Sequence, residues 1–250
     1  MTVADDSSRA ARPGLIVMWA APRSRSTAFF RSMLEHGGLV AIHEPFDNIA
    51  DHGSTVVNGR PVFDPAELIR TLRGLAETAT VFVKETTDRR HPDVLADRRF
   101  LKEVTHTFLI RSPAQIAASL YALQGPGLTL PQIGLEHAYD LREAILAAGG
   151  AQPVVVDSAD LVADPAATMA AYCAAVGIPF NESALRWAAG ERDEWGQSAR
   201  WHARVSESTG FTQSAASYEI TTANDAMLAG FSAHHEPFYR ALLEHRMAIS

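Results

Sequence analysis

Short apolar runs, rich in β-branched residues, alternate along this chain with longer stretches whose apolar positions recur at helical spacing. The runs Leu15–Trp19, Leu39–His43, Thr80–Lys84, Thr105–Ile110 and Val154–Val156 are brief and almost wholly apolar, as strands covered on both faces must be. Between them the spacing predicts helices near Thr27–His36, Ala66–Thr78, Pro113–Leu123, Leu135–Ala148 and Ala166–Val176. Alternation of this kind builds βαβ units, so the expected fold is α/β, three-layered, with a mostly parallel sheet flanked by helices.

Local chemistry sharpens two helix starts. Ser112-Pro113-Ala114-Gln115 offers an N-cap serine, a proline at the first helical position and a capping-box glutamine. Asp164-Pro165 offers a similar start, and Gly177 a C-terminal stop. Asp47–Asp64 and Gln124–Gln132 are rich in Gly, Pro and turn formers and predict two long loops, which in compact domains are usually functional or mobile. Beyond about residue 190 the pattern turns irregular, charged and aromatic until a final helix near Pro237–Met247.

At 250 residues and 47% hydrophobic, the chain can bury a full core, and residues 14–250 are expected to form a single domain. Met1–Pro13 is polar and charged, without the apolar stretch of a signal peptide, and predicts a flexible N-terminal tail. Nothing approaches the roughly 18 apolar residues of a membrane span. The expected setting is the cytoplasm, with no membrane partner. A net charge of −7 argues against non-specific nucleic-acid binding, which needs a basic footprint. Cys173, the single cysteine, lies in an apolar run and reads as a small buried side chain, which removes disulfides and thiolate metal clusters from consideration. His234, His235 and His245 lack a metal-binding spacing, and no metal site is expected. The oligomeric state is left open.

An acidic protein that holds an anion must concentrate its cations locally, and one segment does so. The first strand runs into Ala20-Ala21-Pro22-Arg23-Ser24-Arg25-Ser26-Thr27 and then a helix. A strand–turn–helix aims backbone N–H groups and the positive helix end at whatever sits above the turn. Ser24, Ser26 and Thr27 add hydroxyls, and Arg23 and Arg25 can fork onto phosphate or sulfate oxygens. The turn lacks the Gly-x-x-x-x-Gly-Lys-[Ser/Thr] spacing of a Walker A loop. It resembles instead the 5′-phosphosulfate loop of the sulfotransferases that use 3′-phosphoadenosine 5′-phosphosulfate (PAPS). Pro22, Arg23, Ser24, Ser26 and Thr27 match that family's pattern in order, while Arg25 stands where it commonly has glycine.

Further on, Phe108-Leu109-Ile110-Arg111-Ser112-Pro113 ends a buried strand in an arginine and opens a helix containing Ser119. Arg111, Pro113 and Ser119 resemble the same family's 3′-phosphate motif at its usual spacing. The segment Val154–Phe180 resembles its following strand–helix unit, so the likeness covers roughly residues 14–180. It implies the P-loop NTPase-like sulfotransferase fold, PAPS as co-substrate with PAP as product, and transfer to a hydroxyl or amine of a small-molecule acceptor. Arg23, Ser24, Arg25, Ser26, Thr27, Arg111 and Ser119 would hold the nucleotide. Arg23 and Lys84 would face the moving sulfuryl group, whose charge spreads over its equatorial oxygens as in phosphoryl transfer.

The base is where the chain departs from the cytosolic members of the family. Their third strand ends Lys-x-His, with the histidine as base; Lys84 matches the lysine, but Thr86 replaces the histidine. Carbohydrate and bacterial sulfotransferases place a glutamate after the second strand instead, and His43-Glu44-Pro45-Phe46 fits that arrangement. Glu44 is the leading candidate, with His43 and Glu85 as rivals. The repeat His235-Glu236-Pro237-Phe238 reads as structural, with Pro237 in the first turn of the final helix. Trp195–Phe211, with Arg200, Trp201, His202 and Arg204, either covers the nucleotide or packs a loop on the core. Two other functions remain open: a small-molecule kinase using ATP, and a non-catalytic nucleotide-binding module.

Overall fold

The structure, a computed structural model, describes residues 14–190, 208–211 and 217–249. Among them, five parallel strands form the central sheet: β1 (Gly14–Ala20), β2 (Val40–His43), β5 (Thr80–Thr86), β6 (Thr105–Ile110) and β7 (Val154–Asp157). Their spatial order is β2-β5-β1-β6-β7. From the central β1 the chain goes first to one side, for β2 and β5, and then to the other, for β6 and β7. A sheet wound in this way opens a ligand crevice at its carboxyl edge, beside the strand where the winding reverses.

Two apolar clusters cover the sheet, one per face, as side-chain alternation requires. Ile16, Met18, Phe82, Leu109 and Val156 pack with Phe29, Phe30 and Met33 of α1 (Ser26–His36) and Met169, Tyr172 and Cys173 of α9 (Pro165–Val176). Val17, Trp19, Val81, Val83, Phe108 and Val155 face the opposite layer. That layer includes α2 (Pro45–His52), α3 (Pro65–Leu75), α6 (Pro113–Gln124), α7 (Leu135–Ala147) and α10 (Ala226–Leu243). The fold is thus the expected α/β sandwich of three layers. Cys173 is buried, and burial pushes its thiol up to about 12. No described helix is long and apolar enough to cross a membrane.

Four local expectations are corrected. The segment 47–64 is not a loop: α2 occupies its start, and the hairpin β3 (Thr55–Val57) and β4 (Arg60–Val62) follows. Residues 124–132 are largely 3₁₀ turns, Gly125–Gly127 and Leu130–Ile133, the latter closed by a capping box of Thr129 and Gln132. Ser112 precedes α6 without a side-chain cap, and Gln115 instead accepts from Arg111 Nε at 3.0 Å. The final described helix starts at Ala226, capped by Asp225 accepting from Leu228 N, so Pro237 lies inside it. The Asp164 cap and the left-handed Gly177 stop of α9 are as expected. Residues 1–13, and those of Trp195–Phe211 before Ser208, lie outside the described residues. Ser208 accepts from buried Trp187 Nε1 at 3.2 Å, and Phe211 packs edge-on against the same indole.

Candidate functional site

Every strand of the sheet delivers its last residues to the same edge, which is how side chains distant in sequence meet. The turn after β1 is held from both sides: Thr87 N donates to Ala20 O at 3.1 Å, and Ala21 N to Leu109 O at 2.9 Å. Within it, Arg23 (φ 59°) and Arg25 (φ 69°) both adopt left-handed backbone, a conformation that costs a non-glycine residue about 1–2 kcal/mol. Arg25 is the N-cap of α1 yet supplies no side-chain cap, so the positive end of that helix opens onto the turn. Ser24 is fully buried, and its Oγ has no hydrogen-bond partner among the described residues. A buried hydroxyl left in that state costs about 1–3 kcal/mol. Such an expense at the mouth of a helix fits an oxyanion receptor.

The second anchor folds onto the first. Because β6 lies beside β1, Arg111 emerges next to the turn and donates through Nη1 to the Arg23 carbonyl at 2.6 Å. Arg23 Nε in turn donates to Ser119 Oγ at 3.0 Å, from α6. Arg23, Arg111 and Ser119 are therefore brought together. Arg25 is an electrostatic neighbour of Arg111, and Tyr218 of both; burial lowers each guanidinium from its ordinary value without neutralising it. Tyr218, which the sequence does not single out, thus lies near both guanidinium groups. Gly134, before α7, closes the turn from outside: a Cβ there would lie 2.8 Å from Thr87 O and 2.9 Å from Pro22 Cδ.

On the other side of β1, β2 and β5 deliver the acid–base candidates. His43 pairs in register with Lys84, and Glu44 N donates to Lys84 O at 2.7 Å. Glu44 then turns left-handed (φ 45°, ψ 49°) and Pro45 opens α2. The Glu44 carboxylate forms an ion pair with Lys84 Nζ, with the lysine buried and the glutamate slightly exposed. His43 Nδ1 lies 3.7 Å from Glu44 Oε2; burial, helped by Lys84, holds this imidazole well below its usual range and therefore neutral.

Glu85 points the other way. It is fully buried, accepting from Phe46 N at 2.8 Å, Asp47 N at 3.4 Å and Thr86 N at 3.0 Å. Burial, with Asp47 beside it, pushes its carboxyl well above the ordinary range, and burial with Asp88 raises Asp47. Thr86 Oγ1 lies 2.6 Å from Asp47 Oδ2 and 2.5 Å from Asp88 Oδ1; its single proton serves one of them. Asp47, Glu85 and His91 bring potential metal-ligand atoms within 4.8 Å of one another. Glu85 accepts from backbone amides, Asp47 Oδ2 from Thr86, and His91 lies against the Thr86 carbonyl; Asp47 Oδ1 is buried without a hydrogen bond, and its charge is met by Arg89 Nε at 3.1 Å.

Two clusters of cationic and hydroxyl groups and a lysine–carboxylate pair thus flank one strand end. A profile of the sulfotransferase domain family matches residues 15–246. Two Arabidopsis thaliana proteins, named branched-chain-amino-acid aminotransferase-like protein 1 and 2, are each 28% identical over 213 and 211 residues, 81% and 79% of this chain. The chain spans only 37% and 36% of their length. Among solved structures, the sulfotransferase domain of the Synechococcus PCC 7002 olefin synthase superposes with a TM-score of 0.54 at 15% identity, covering 94% of this chain and 98% of that one. The sulfotransferase domain of the curacin biosynthetic pathway gives 0.52 at 13% identity, covering 90% and 98%.

Proposed function

The chain belongs to the sulfotransferase domain family, and from that premise we propose that it moves a sulfuryl group from PAPS to a hydroxyl or amine of a small-molecule acceptor. The observation that carries this reading is the meeting of Arg23, Arg111 and Ser119 around a turn whose Ser24 hydroxyl is buried and orphaned. A nucleotide with two separate anionic ends needs two cationic anchors. The Ser24–Thr27 turn would take the 5′-phosphosulfate and Arg111 with Ser119 the 3′-phosphate. Residues 14–250 act in this reading as one catalytic domain.

In the reaction the acceptor oxygen or nitrogen forms a bond to sulfur as the bond from sulfur to the bridging phosphate oxygen breaks. The acceptor proton goes to the Glu44 carboxylate, and PAP leaves. Lys84 and Arg23 face the equatorial oxygens, where charge accumulates in a loose in-line transition state. Lys84 thereby changes partners, from Glu44 to the sulfuryl group, as Glu44 becomes neutral. Thr86 cannot take a proton at neutral pH, and His43 is more deeply buried than Glu44, its Nδ1 3.7 Å from Glu44 Oε2.

Thermal melting with nucleotides tests the donor. PAP at 100 times its dissociation constant should stabilise the fold by about 2.7 kcal/mol. A melting curve unmoved by PAP and shifted by ATP with magnesium would replace this reading with a kinase. A PAP shift without transfer to any acceptor class would leave a non-catalytic binding module.

A further inference from the structure

Glu44 occupies a position that normally carries a different duty. It is the N-cap of α2, and an N-cap side chain ordinarily accepts from the amides two or three residues on. Here it makes no such bond. The donors at this helix end are nevertheless all satisfied. Glu44 N goes to Lys84 O, Pro45 has no N–H, and Phe46 N and Asp47 N both go to Glu85 Oε2. Asn48 N then makes the first intrahelical bond, to Glu44 O at 2.9 Å. The cap of α2 is thus supplied by a neighbouring strand.

We infer that Glu85 is a positioning residue: by capping α2 from β5, it releases the Glu44 carboxylate from its own helix and leaves it to Lys84. The geometry makes this division of labour necessary. Lys84 and Glu85 are consecutive on β5 and face opposite sides of the sheet, so one strand end controls Glu44 twice. Lys84 holds its carboxylate, and Glu85 holds the helix that fixes its left-handed backbone. Without Glu85, two buried amides lack an acceptor, and Glu44, as the N-cap residue, has the carboxylate whose ordinary duty is to take them. The raised Glu85 carboxyl adds a corollary: glutamine keeps the acceptor oxygen for Phe46 N and Asp47 N and a donor toward Asp47, and gives up only the acceptor that Thr86 N uses.

This inference rests on reading Glu44 as the base, but the test can separate the two. Lys84 and Lys102 are the chain's only lysines, and Lys102 is exposed, so it serves as an internal reference for amine acetylation read by peptide mass spectrometry. Glu44→Gln should raise the Lys84/Lys102 labelling ratio by breaking the ion pair. Glu85→Ala should raise it by about fivefold, the equilibrium scale of one lost helix cap, and lower kcat by roughly tenfold or more with PAP affinity kept. Glu85→Gln, which keeps the acceptor for both helix amides, should restore most of both. Val83→Ala, a core change on the same strand, should lower the melting temperature without moving the ratio. If Glu85→Ala does not fold, Glu85→Asp, one methylene short of the amides, makes the same comparison and should raise the ratio in the same direction. A ratio equal to wild type in the Ala or Asp variant, or one raised as much by Val83→Ala, overturns the inference. Ratios as expected with kcat unchanged in both Glu44→Gln and Glu85→Ala would uphold the positioning and reject Glu44 as base.

Discussion

Arg111→Ala separates the two anchors because Arg111 does two jobs. Its Nη1 braces the Arg23 carbonyl and its Nε is held by Gln115; in the proposed reading its remaining edge takes the 3′-phosphate. A charge-assisted bond of this type is worth about 1.5–3 kcal/mol. Losing the ligand contact should therefore weaken PAP binding by roughly 13- to 160-fold. Losing the brace acts on the turn itself, since Arg23 sits in left-handed backbone that the Arg111 bond helps hold. Adenosine 5′-phosphosulfate, which has no 3′-phosphate, should feel only this second effect, a loss of less than about tenfold, below one charge-assisted bond. Arg111→Lys keeps the charge without the fork and should fall between wild type and Ala for PAP. Isothermal titration of both ligands against the three proteins gives the ratio directly. Equal losses for PAP and adenosine 5′-phosphosulfate would mean that Arg111 only supports the turn, and the second anchor would have to be sought elsewhere.

Gly134→Ala should destabilise the protein by about 2–4 kcal/mol, from left-handed backbone plus overlap with Thr87 and Pro22, and should weaken PAP because Pro22 opens the anion turn; denaturant melts and titration check both, and a neutral result would mean the turn yields freely. His106 accepts from Trp19 Nε1 at 3.0 Å and lies 3.3 Å from Phe100 O, and burial lowers it to about 4. The unfolded chain therefore binds this proton first, so the contribution is full above pH 6.5 and is lost as pH falls from there to about 4, by about 3 kcal/mol. His106→Gln should flatten that part of the stability curve, and an unchanged acid slope would refute the assignment. Glu85 has the opposite sign: its raised carboxyl costs stability as pH rises above about 4.5, so Glu85→Gln should gain relative to wild type on going from pH 5 to 8, and a constant difference across that range would show an ionised Glu85.

The sheet was legible because its strands are short and covered on both faces, so each reads as an apolar run: Thr105–Ile110 is observed with the bounds its hydrophobic pattern predicts. The helices with local caps were legible for a similar reason, as at Asp164. The errors fall where the stabilising partner is distant. Asp47, Asn48 and Gly53 read as turn formers, yet α2 runs through them, capped by Glu85 some forty residues on. Pro237 read as a helix start because its own signature outweighed that of Asp225, twelve residues earlier. The candidate site shows the same division. The turn after β1 and Arg111 stand out by spacing, whereas the Glu44–Lys84 pairing follows from strand register, and the nearness of Tyr218 to Arg25 and Arg111 belongs to tertiary structure alone.

The proposed reaction is sulfuryl transfer from PAPS with Glu44 taking the acceptor proton. Labelled PAPS, offered with a panel of phenols, sugars, alcohols and amines to wild type and Glu44→Gln, tests both halves at once. Wild type should convert PAPS to PAP in step with label appearing on at least one acceptor class. Glu44→Gln should bind PAP as wild type does and lower that rate by roughly a hundredfold or more. Label that never leaves PAPS in the wild-type protein, or a Glu44→Gln rate equal to wild type, would contradict the account.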